Sequence, residues 1–518
     1  MLRMRLTVSN GSKRWEWDGR RWASGSSWIE PYDHPAIEHE MTENSSRASC
    51  LVVREVATGE ARLFSTRRRL SDPVFQDGIR LPECWPLQAV TVHTSPNGEV
   101  RVSTGERGVA PVYLRSFGNF LAGSWDLLDL DPEVEEMEFR EVTATLSYRT
   151  RYSTATPFRA SRLLTERATA VWDAIKGLRI HYPEAALHSR PRILRLDAEP
   201  VSVFADLLQK EVSARPVDLS RSAVELSGGM DSTVTAVSLS RTIGPMRTAA
   251  LILDGEVGVQ QARRRNQIIE HGQLGSDVTL RAGNHGPFHP AGFRFLGRRS
   301  SPTDGTYVEA MGELYRRLSA EGVRWLFTGI GGDELCFQRP EEREITGDAW
   351  NVHPIPDHLG PCAKKLLPSL KADLAPASVL HASTLAALAV HSRTAMSNGL
   401  WPISPLASPL VLRFAESLPL EWRRNKRLMR ALLEVEGFSR DVIHPRLREN
   451  FSGICEKAMF RHGLPLLRKW LPESVLVDFG IIDPRRLRKL CDEVATSGRH
   501  ARELYRPLAL EGAFRSLR

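Results

Sequence analysis

Short apolar stretches broken by turn-forming residues fill the first part of the chain. They cover residues 49–53, 87–93 and 109–114, and a Pro-Asn-Gly sequence at 96–98 follows the second of them. Apolar, β-branched runs of this length with Pro, Asn and Gly between them are typical of strands joined by tight turns. From residue 161 to 176 the apolar spacing lengthens, which predicts a helix there.

The second part of the chain alternates between short β-branched runs and longer helical stretches. The runs cover these segments: 223–226, 248–253, 277–280, 323–327. A helix is predicted over 201–214, before the first run, and the sequence after residue 375 is mostly helical. Strands and helices in alternation predict a parallel sheet with helices on both faces. We therefore predict an α/β protein of two domains, 1–195 and 196–518.

The composition is that of a compact globular protein, and it limits the kinds of partner. Of the 518 residues, 42% are hydrophobic and 25% are charged, close to the averages for globular domains. A net charge of +8 over this length is a small excess, so it does not predict nucleic-acid binding. The six cysteines form no Cys-x-x-Cys pair, which predicts reduced thiols. Neither a signal peptide nor a membrane span is apparent, so we expect a cytoplasmic protein without a membrane partner.

A Ser/Gly-rich loop follows the first apolar run of the second domain. It reads Ser227-Gly-Gly-Met-Asp-Ser232, and the segment from Thr233 onward can begin a helix. Glycines let the backbone turn sharply and bring its N–H groups to a ligand, and a helix N-terminus favours an anion. The loop therefore predicts a phosphate-binding site. It has neither the Gly-Lys-Ser/Thr of a Walker loop nor the Gly-x-Gly-x-x-Gly of a dinucleotide fold.

A second glycine-rich loop with a carboxylate follows the last of these apolar runs. It reads Gly329-Ile-Gly-Gly-Asp-Glu334. In a parallel sheet both loops leave the strands at the carboxyl edge, where ligands bind. Asp231 and Asp333 would then face each other, and two carboxylates near a triphosphate are suited to holding Mg²⁺. We predict that both aspartates bind this metal.

The two loops, in this order and about 100 residues apart, resemble the synthetase domain of the class B asparagine synthetase superfamily, which is of the ATP pyrophosphatase type. The resemblance extends over further segments: 105–113, 120–125, 401–406, 411–419, 426–430. The first two of these are similar to the family's glutaminase domain. The resemblance implies a degenerate Ntn-glutaminase-like α+β domain over 1–195. Over 196–518 it implies an ATP pyrophosphatase domain, a doubly wound parallel sheet with a helical C-terminal part.

The resemblance also implies ATP and Mg²⁺ as cofactors, with ATP cleaved between its α and β phosphates. The residues expected to contact ATP are Leu226, Ser227, Gly228, Gly229, Asp231, Ser232, Leu253, Thr328, Gly329, Gly331, Gly332, Asp333. Relatives have a lysine over the pyrophosphate near the end of the domain, and Arg448 stands in that place here. Arginine keeps the positive charge but cannot shuttle a proton. Lys426 is the better candidate for a phosphate-binding lysine, and we predict that both residues are catalytic.

Two departures from the family pattern narrow the implied function. A working glutaminase of this kind has a cysteine at its mature N-terminus, whereas residue 2 is Leu and the first cysteine is Cys50. The first domain is therefore expected to be silent toward glutamine, which disfavours asparagine synthesis. Relatives that close β-lactam and carbapenam rings use a tyrosine that we align with Ile330. Isoleucine cannot relay a proton, which disfavours that chemistry too.

Lasso peptide cyclases share the silent first domain, and the chain most resembles this group. They adenylate an Asp or Glu side chain of a core peptide, and the peptide's own N-terminal amine closes a macrolactam. An α-amine with an ordinary pKa of about 7.7 to 8.0 needs no strong base. A precursor peptide is then the substrate, with a leader-binding protein and a leader peptidase as partners. Alternatives are a β-lactam-type synthetase or another amide ligase, a tRNA-modifying ATP pyrophosphatase, and a non-catalytic scaffold.

Overall fold

The computed structural model describes residues 1–7, 14–339, 341–343 and 353–518. Two mainly antiparallel sheets occupy the first part of the chain, and one parallel sheet with helices around it occupies the second. Helices dominate the C-terminal region. The fold is therefore α/β, as the sequence predicts. None of the helices in these ranges is both long and apolar enough to cross a membrane.

The strands divide among three sheets. Those that the structure describes are β1 (Leu2–Thr7), β2 (Glu16–Trp17), β3 (Trp22–Ser24), β4 (Ser27–Pro31), β5 (Ile37–Glu43), β6 (Ser49–Glu55), β7 (Arg67–Arg69), β8 (Ala89–Thr94), β9 (Val100–Thr104), β10 (Val112–Phe117), β11 (Phe120–Ser124), β12 (Ser161–Leu164), β13 (Thr169–Asp173), β14 (Gly177–His181), β15 (Ser222–Glu225), β16 (Arg247–Ile252), β17 (Asp277–Arg281), β18 (Trp325–Phe327), β19 (Trp401–Ile403).

The first two sheets share one hydrophobic core. Their strand orders are β12-β10-β11-β1-β4-β3-β2 and β14-β13-β9-β8-β6-β5-β7. Met4, Trp22 and Leu114 of the first sheet lie in the same buried cluster as Val92 and Trp172 of the second. Apolar side chains that alternate along each strand therefore hold the two sheets together.

The predicted strands of the first part are found, but the predicted helix is wrong. Residues 161–176 contain β12 and β13 instead. Ala168, Ala170 and Trp172 are buried at every second position, and Ala170 pairs with Val102 of β9. The apolar spacing that suggested one helix spans two strands: β12 pairs with β10, and β13 pairs with both β9 and β14.

The second part is built on a five-stranded parallel sheet in the order β17-β16-β15-β18-β19. Ala223 of β15 lies opposite Arg247 on one side and Leu326 on the other. The chain thus adds β16 and β17 on one side of β15, and then β18 and β19 on its other side. A strand order that reverses between two neighbours leaves a crevice at the carboxyl edge of the sheet. The four strands predicted for this sheet are confirmed.

Helices surround the parallel sheet and form the C-terminal region. The α-helices that the structure describes are α1 (Asp72–Ile79), α2 (Leu81–Cys84), α3 (Phe139–Leu146), α4 (Pro200–Ser213), α5 (Met230–Thr242), α6 (Gly255–His271), α7 (Val308–Ala320), α8 (Pro361–Leu366), α9 (Ala382–Ser397), α10 (Pro409–Ser417), α11 (Leu420–Arg423), α12 (Arg427–Val435), α13 (Arg440–Ile443), α14 (Ser452–Ala458), α15 (Leu464–Trp470), α16 (Val475–Asp478), α17 (Pro484–Ser497), α18 (Tyr505–Arg515). The helix predicted over 201–214 is α4. The domain boundary predicted near residue 195 falls between β14 and α4 and stays a prediction.

A buried network of charges joins the first part of the chain to α4. Arg215 Nε is 2.5 Å from Glu55 Oε1, and Arg107 Nη1 is 2.5 Å from Glu211 Oε1. Burial raises the pKa of Glu211, but Arg215 and Arg107 outweigh that effect and hold the pKa at about 2. Buried charges that are paired in this way resist separation. Because α4 also packs against α5, the network steadies the helix that follows the first glycine-rich loop.

Candidate active site

The two glycine-rich loops lie side by side where the strand order of the parallel sheet reverses. β15 and β18 are neighbours, with Val224 opposite Phe327, and each loop follows its strand. Both loops therefore leave the sheet at the same carboxyl edge, as the sequence predicts. In open α/β sheets this edge is where ligands bind.

The first loop is closed by its own serine side chains. Gly228 has a φ of +91°, a conformation that residues with a side chain rarely adopt. Ser227 Oγ is 3.0 Å from Ser232 Oγ, and it accepts the Gly229 N–H at 3.2 Å. These bonds fix a tight turn at the carboxyl end of the strand.

Helix α5 begins earlier than the sequence suggested. The sequence indicates that a helix can begin in the segment from Thr233 onward, but Gly229 caps the helix and Met230 is its first residue. The reason is that the Thr233 N–H already donates to the Gly229 carbonyl at 3.0 Å, as within a helix. Asp231 consequently lies in the first turn, where the helix N-terminus favours negative charge.

Glycines are required where the second loop crosses the first. A Cβ on Gly329 would lie 2.7 Å from Ser232 N, and one on Gly332 would lie 2.6 Å from Asp231 Oδ1. Gly331 has a φ of +99°. These distances are too short for any side chain, so the glycines allow the two loops to touch.

One ammonium group lies between the two predicted metal ligands. Lys426 Nζ is 2.6 Å from both carboxylate oxygens of Asp231 and 2.6 Å from Oδ1 of Asp333. Burial raises the pKa of Asp231, and Lys426 opposes the rise. Burial lowers the pKa of Lys426, but Asp231 outweighs that effect and the pKa is raised overall. Lys426 is therefore a cation that contacts both carboxylates.

The backbone that carries Lys426 is held in an unusual conformation. Asn425 and Lys426 have φ values of 55° and 57°, in the left-handed region that costs on the order of 1 to 3 kcal/mol for a residue other than glycine. Arg430 Nε donates to the Asn425 carbonyl at 2.9 Å and fixes the turn. Eight other non-glycine residues that the structure describes also have a positive φ, and at Lys426 this turn presents the ammonium to the two loops.

Arg448 shares a cleft with this cluster. The cleft has a volume of about 1480 Å³, and its walls include Gly229, Asp231, Asp333, Lys426 and Arg448. The structure thus brings together both predicted metal ligands, both predicted catalytic residues and part of the first loop. A cleft that combines carboxylates, cations and a helix N-terminus is suited to a nucleotide triphosphate and its metal.

Hydrogen bonds and an ion pair hold the segment that carries Arg448 against α6. Gln260 donates to the Leu447 carbonyl at 2.9 Å and accepts the Leu447 N–H at 2.8 Å. Arg264 Nη1 is 2.6 Å from Glu449 Oε1, and both side chains are largely buried. Arg264 and Glu449 also line the cleft, and our sequence analysis missed them. Glu449 could have been noticed as the acidic neighbour of Arg448, but its partner lies 185 residues earlier.

The other predicted ATP contacts lie in the two loops or directly after β15, β16 and β18, and they are absent from the described walls of the cleft. Leu226 and Thr328 are fully buried. The Leu226 carbonyl accepts Arg265 Nε at 2.5 Å, and Thr328 Oγ1 is 2.8 Å from Ser404 Oγ. The remaining ones are Ser227, Gly228, Ser232, Leu253, Gly329, Gly331, Gly332. Their contact with ATP stays a prediction.

Two carboxylates from facing loops are a suitable donor set for Mg²⁺. This ion takes one or two carboxylates and completes its octahedron with water and substrate phosphates. Within the described ranges, no group of three or more His, Cys, Asp and Glu side chains is placed to hold a metal by itself. Asp231 and Asp333 are the residues that would hold Mg²⁺ if a nucleotide supplied phosphate oxygens beside them.

No family model and no curated protein matches the sequence. Among solved structures, the chain is similar to a U34-tRNA thiolase of Methanococcus maripaludis, with 13% identity, a TM-score of 0.21, and 49% of this chain and 84% of that chain covered. It is also similar to a glutamine phosphoribosylpyrophosphate amidotransferase of B. subtilis, with 10% identity, a TM-score of 0.20, and 64% of this chain and 82% of that chain covered. The overall likeness is weak, and the geometry of the site is the more informative guide to function.

We expect that the protein does not hydrolyse glutamine. Leu2 is buried in β1, and burial raises the pKa of the Cys50 thiol to about 12, so this cysteine stays protonated at neutral pH. Glutamate release by the purified protein, with and without MgATP, measures the activity. We expect the rate of a protein-free control, and glutamate formed in step with an amide product would refute the prediction.

Proposed function

We propose that the protein uses ATP to activate a carboxylate as an acyl-adenylate, and then joins the carboxylate to an amine with release of AMP and pyrophosphate. The observation that carries the proposal is the meeting of Asp231, Asp333 and Lys426 at the carboxyl edge of the sheet, where one ammonium lies 2.6 Å from both carboxylates. These groups come from three separate segments of the chain. Their convergence beside a helix N-terminus supports a triphosphate site.

In this proposal, some groups of the cleft bind phosphate and others bind the metal. The N-terminus of α5 and Lys426 would bind the triphosphate, because N–H and ammonium groups favour its negative charge. Bound Mg²⁺ supplies charge neutralisation on the phosphate oxygens. Arg448 would stabilise the charge that develops on the leaving pyrophosphate. The substrate carboxylate attacks the α-phosphorus directly, so this step requires no proton transfer.

A second cavity beside the second loop supports a peptide as the carboxylate substrate. It has a volume of about 410 Å³, and its walls include Tyr152, Glu334, Phe337 and Leu385. Glu334 directly follows Asp333 of the cleft, so the cavity and the nucleotide site share one loop. A mainly apolar pocket of this size with a few polar groups is suited to a short peptide segment.

The finer proposal is a lasso peptide cyclase. An Asp or Glu side chain of a core peptide is adenylated, and the peptide's N-terminal amine attacks the acyl carbon, closes a macrolactam and expels AMP. Ile330 is packed against the hydrophobic core and cannot accept the amine's proton. An α-amine with a pKa of about 7.7 to 8.0 is already partly neutral and loses that proton to solvent. A leader-binding protein and a leader peptidase would deliver the peptide.

Cyclisation of a candidate precursor peptide encoded near the gene tests this proposal. With MgATP we expect a product lighter than the core peptide by one water, and one AMP for each ring closed. Asp231→Asn should give neither product. AMP transferred to tRNA, or ring closure of a small amino acid instead of a peptide, would show that the peptide assignment is wrong.

A further inference from the structure

Lys426 occupies the position between two carboxylates that the proposed metal requires. Its Nζ contacts both oxygens of Asp231 and one oxygen of Asp333. A second cation could not share those oxygens at low cost, because like charges at contact distance repel each other. The protein itself therefore offsets part of the negative charge of the two aspartates.

We infer that Lys426 is a displaceable counterion that makes metal binding depend on the nucleotide. Without ATP, the ammonium holds the two carboxylates. When the triphosphate binds, its oxygens offer Lys426 another anionic partner, and the side chain leaves Asp231 and Asp333. The carboxylates are then free for the metal that accompanies the nucleotide. The inference rests on the proposed function for the nature of the nucleotide, and it adds the order in which ligands bind.

The position of Lys426 allows such an exchange. Its side chain is 24% exposed, and that of Asp333 is 83% exposed, so both groups are accessible from the cleft. Lysine is a flexible point charge that can change partners. The Arg264 and Glu449 pair in the same cleft differs, since its side chains are only 4% and 11% exposed and have no room to separate.

The cations of the cleft also disfavour a free metal ion. Arg446 and Arg448 are exposed on its wall, and the positive potential of such a group opposes a divalent cation until phosphate neutralises it. The turn at Asn425 and Lys426 places the ammonium beside the two loops, within reach of a phosphate bound there. Together these features favour joint binding of nucleotide and metal over binding of metal alone.

Titration of the protein with Mn²⁺ alone, followed by the electron paramagnetic resonance signal of free Mn²⁺, tests the inference. Wild type should bind weakly. Lys426→Met should bind on the order of tenfold more tightly, because a competing cation has been removed from a partly exposed site. Lys457→Met removes an exposed lysine outside the cleft and should leave the affinity unchanged. After subtraction of the Mn²⁺ that α,β-methylene ATP chelates in a protein-free control, this analogue should strengthen Mn²⁺ binding to the protein more in wild type than in Lys426→Met.

Equal Mn²⁺ affinity of wild type and Lys426→Met without nucleotide would overturn the inference. Circular dichroism checks that the variant is folded, and Lys426→Gln replaces it if it is not. Equal Mn²⁺ affinity of the wild-type protein with and without the ATP analogue would also overturn the inference. The proposed function can fail independently of this inference. In that case the Mn²⁺ results are as expected, but no AMP is formed with carboxylate substrates.

Discussion

Asp231→Asn and Asp333→Asn should each abolish ATP cleavage while the protein stays folded. Each substitution removes one of the two proposed metal ligands, and Lys426 then pairs with the remaining carboxylate. We expect the rate of AMP formation to fall by at least about 10²-fold, the low end for loss of one preorganised charged contact. Release of AMP at saturating MgATP and peptide measures this rate.

Asp206→Asn is the matched control for both substitutions. Asp206 is exposed on α4 and lies outside the cleft, so this variant should form AMP at the wild-type rate. The Asp333 side chain is 83% exposed, and its substitution should change the free energy of unfolding by at most about 1 kcal/mol. Full AMP formation by both site variants would show that these aspartates do not bind the metal.

Arg448→Ala should slow the reaction by about 10²-fold, whereas Arg448→Lys should keep part of the activity. Arg448 is exposed on the wall of the cleft that holds Asp231 and Lys426, so its charge can reach the leaving pyrophosphate. Loss of one such stabilising group costs about this much in rate. A lysine restores the charge but not the two-pronged contact of a guanidinium.

Arg448→Ala should lower the turnover rate more than it lowers the affinity for ATP. The reason is that the negative charge on the pyrophosphate increases between bound ATP and the transition state. Single-turnover rates of adenylate formation and of cyclisation separate the two effects. Arg461→Ala, a change at an exposed arginine away from the cleft, is the control. If Arg448→Ala cyclises at nearly the wild-type rate, Arg448 is only a surface residue.

The two glycine-rich loops could be predicted from the sequence because the residues that define each loop are close together in the chain. A strand, a turn with glycines and a carboxylate occur within a few residues of one another, and parallel strands bring such turns to one edge. The structure places Asp231 and Asp333 together as this reasoning requires. The start of α5 was missed because a capping glycine looks like part of the loop.

Contacts between distant segments could not be predicted in this way. Lys426 was expected to bind phosphate, and its contact with Asp231 was missed because 195 residues separate them. The pairing of Arg264 with Glu449 was missed for the same reason. The error over 161–176 is related, since β12 and β13 pair with the distant strands β10 and β9, although β13 also pairs with the adjacent β14. Periodicity alone does not reveal such partners.

The products of ATP test the central claim most directly. ATP radiolabelled in its γ-phosphate is incubated with Mg²⁺, the protein and the precursor peptide, and the labelled product is identified by chromatography. Activation of a carboxylate as an acyl-adenylate predicts labelled pyrophosphate together with AMP, and loss of both in Asp231→Asn. Labelled orthophosphate together with ADP would contradict it.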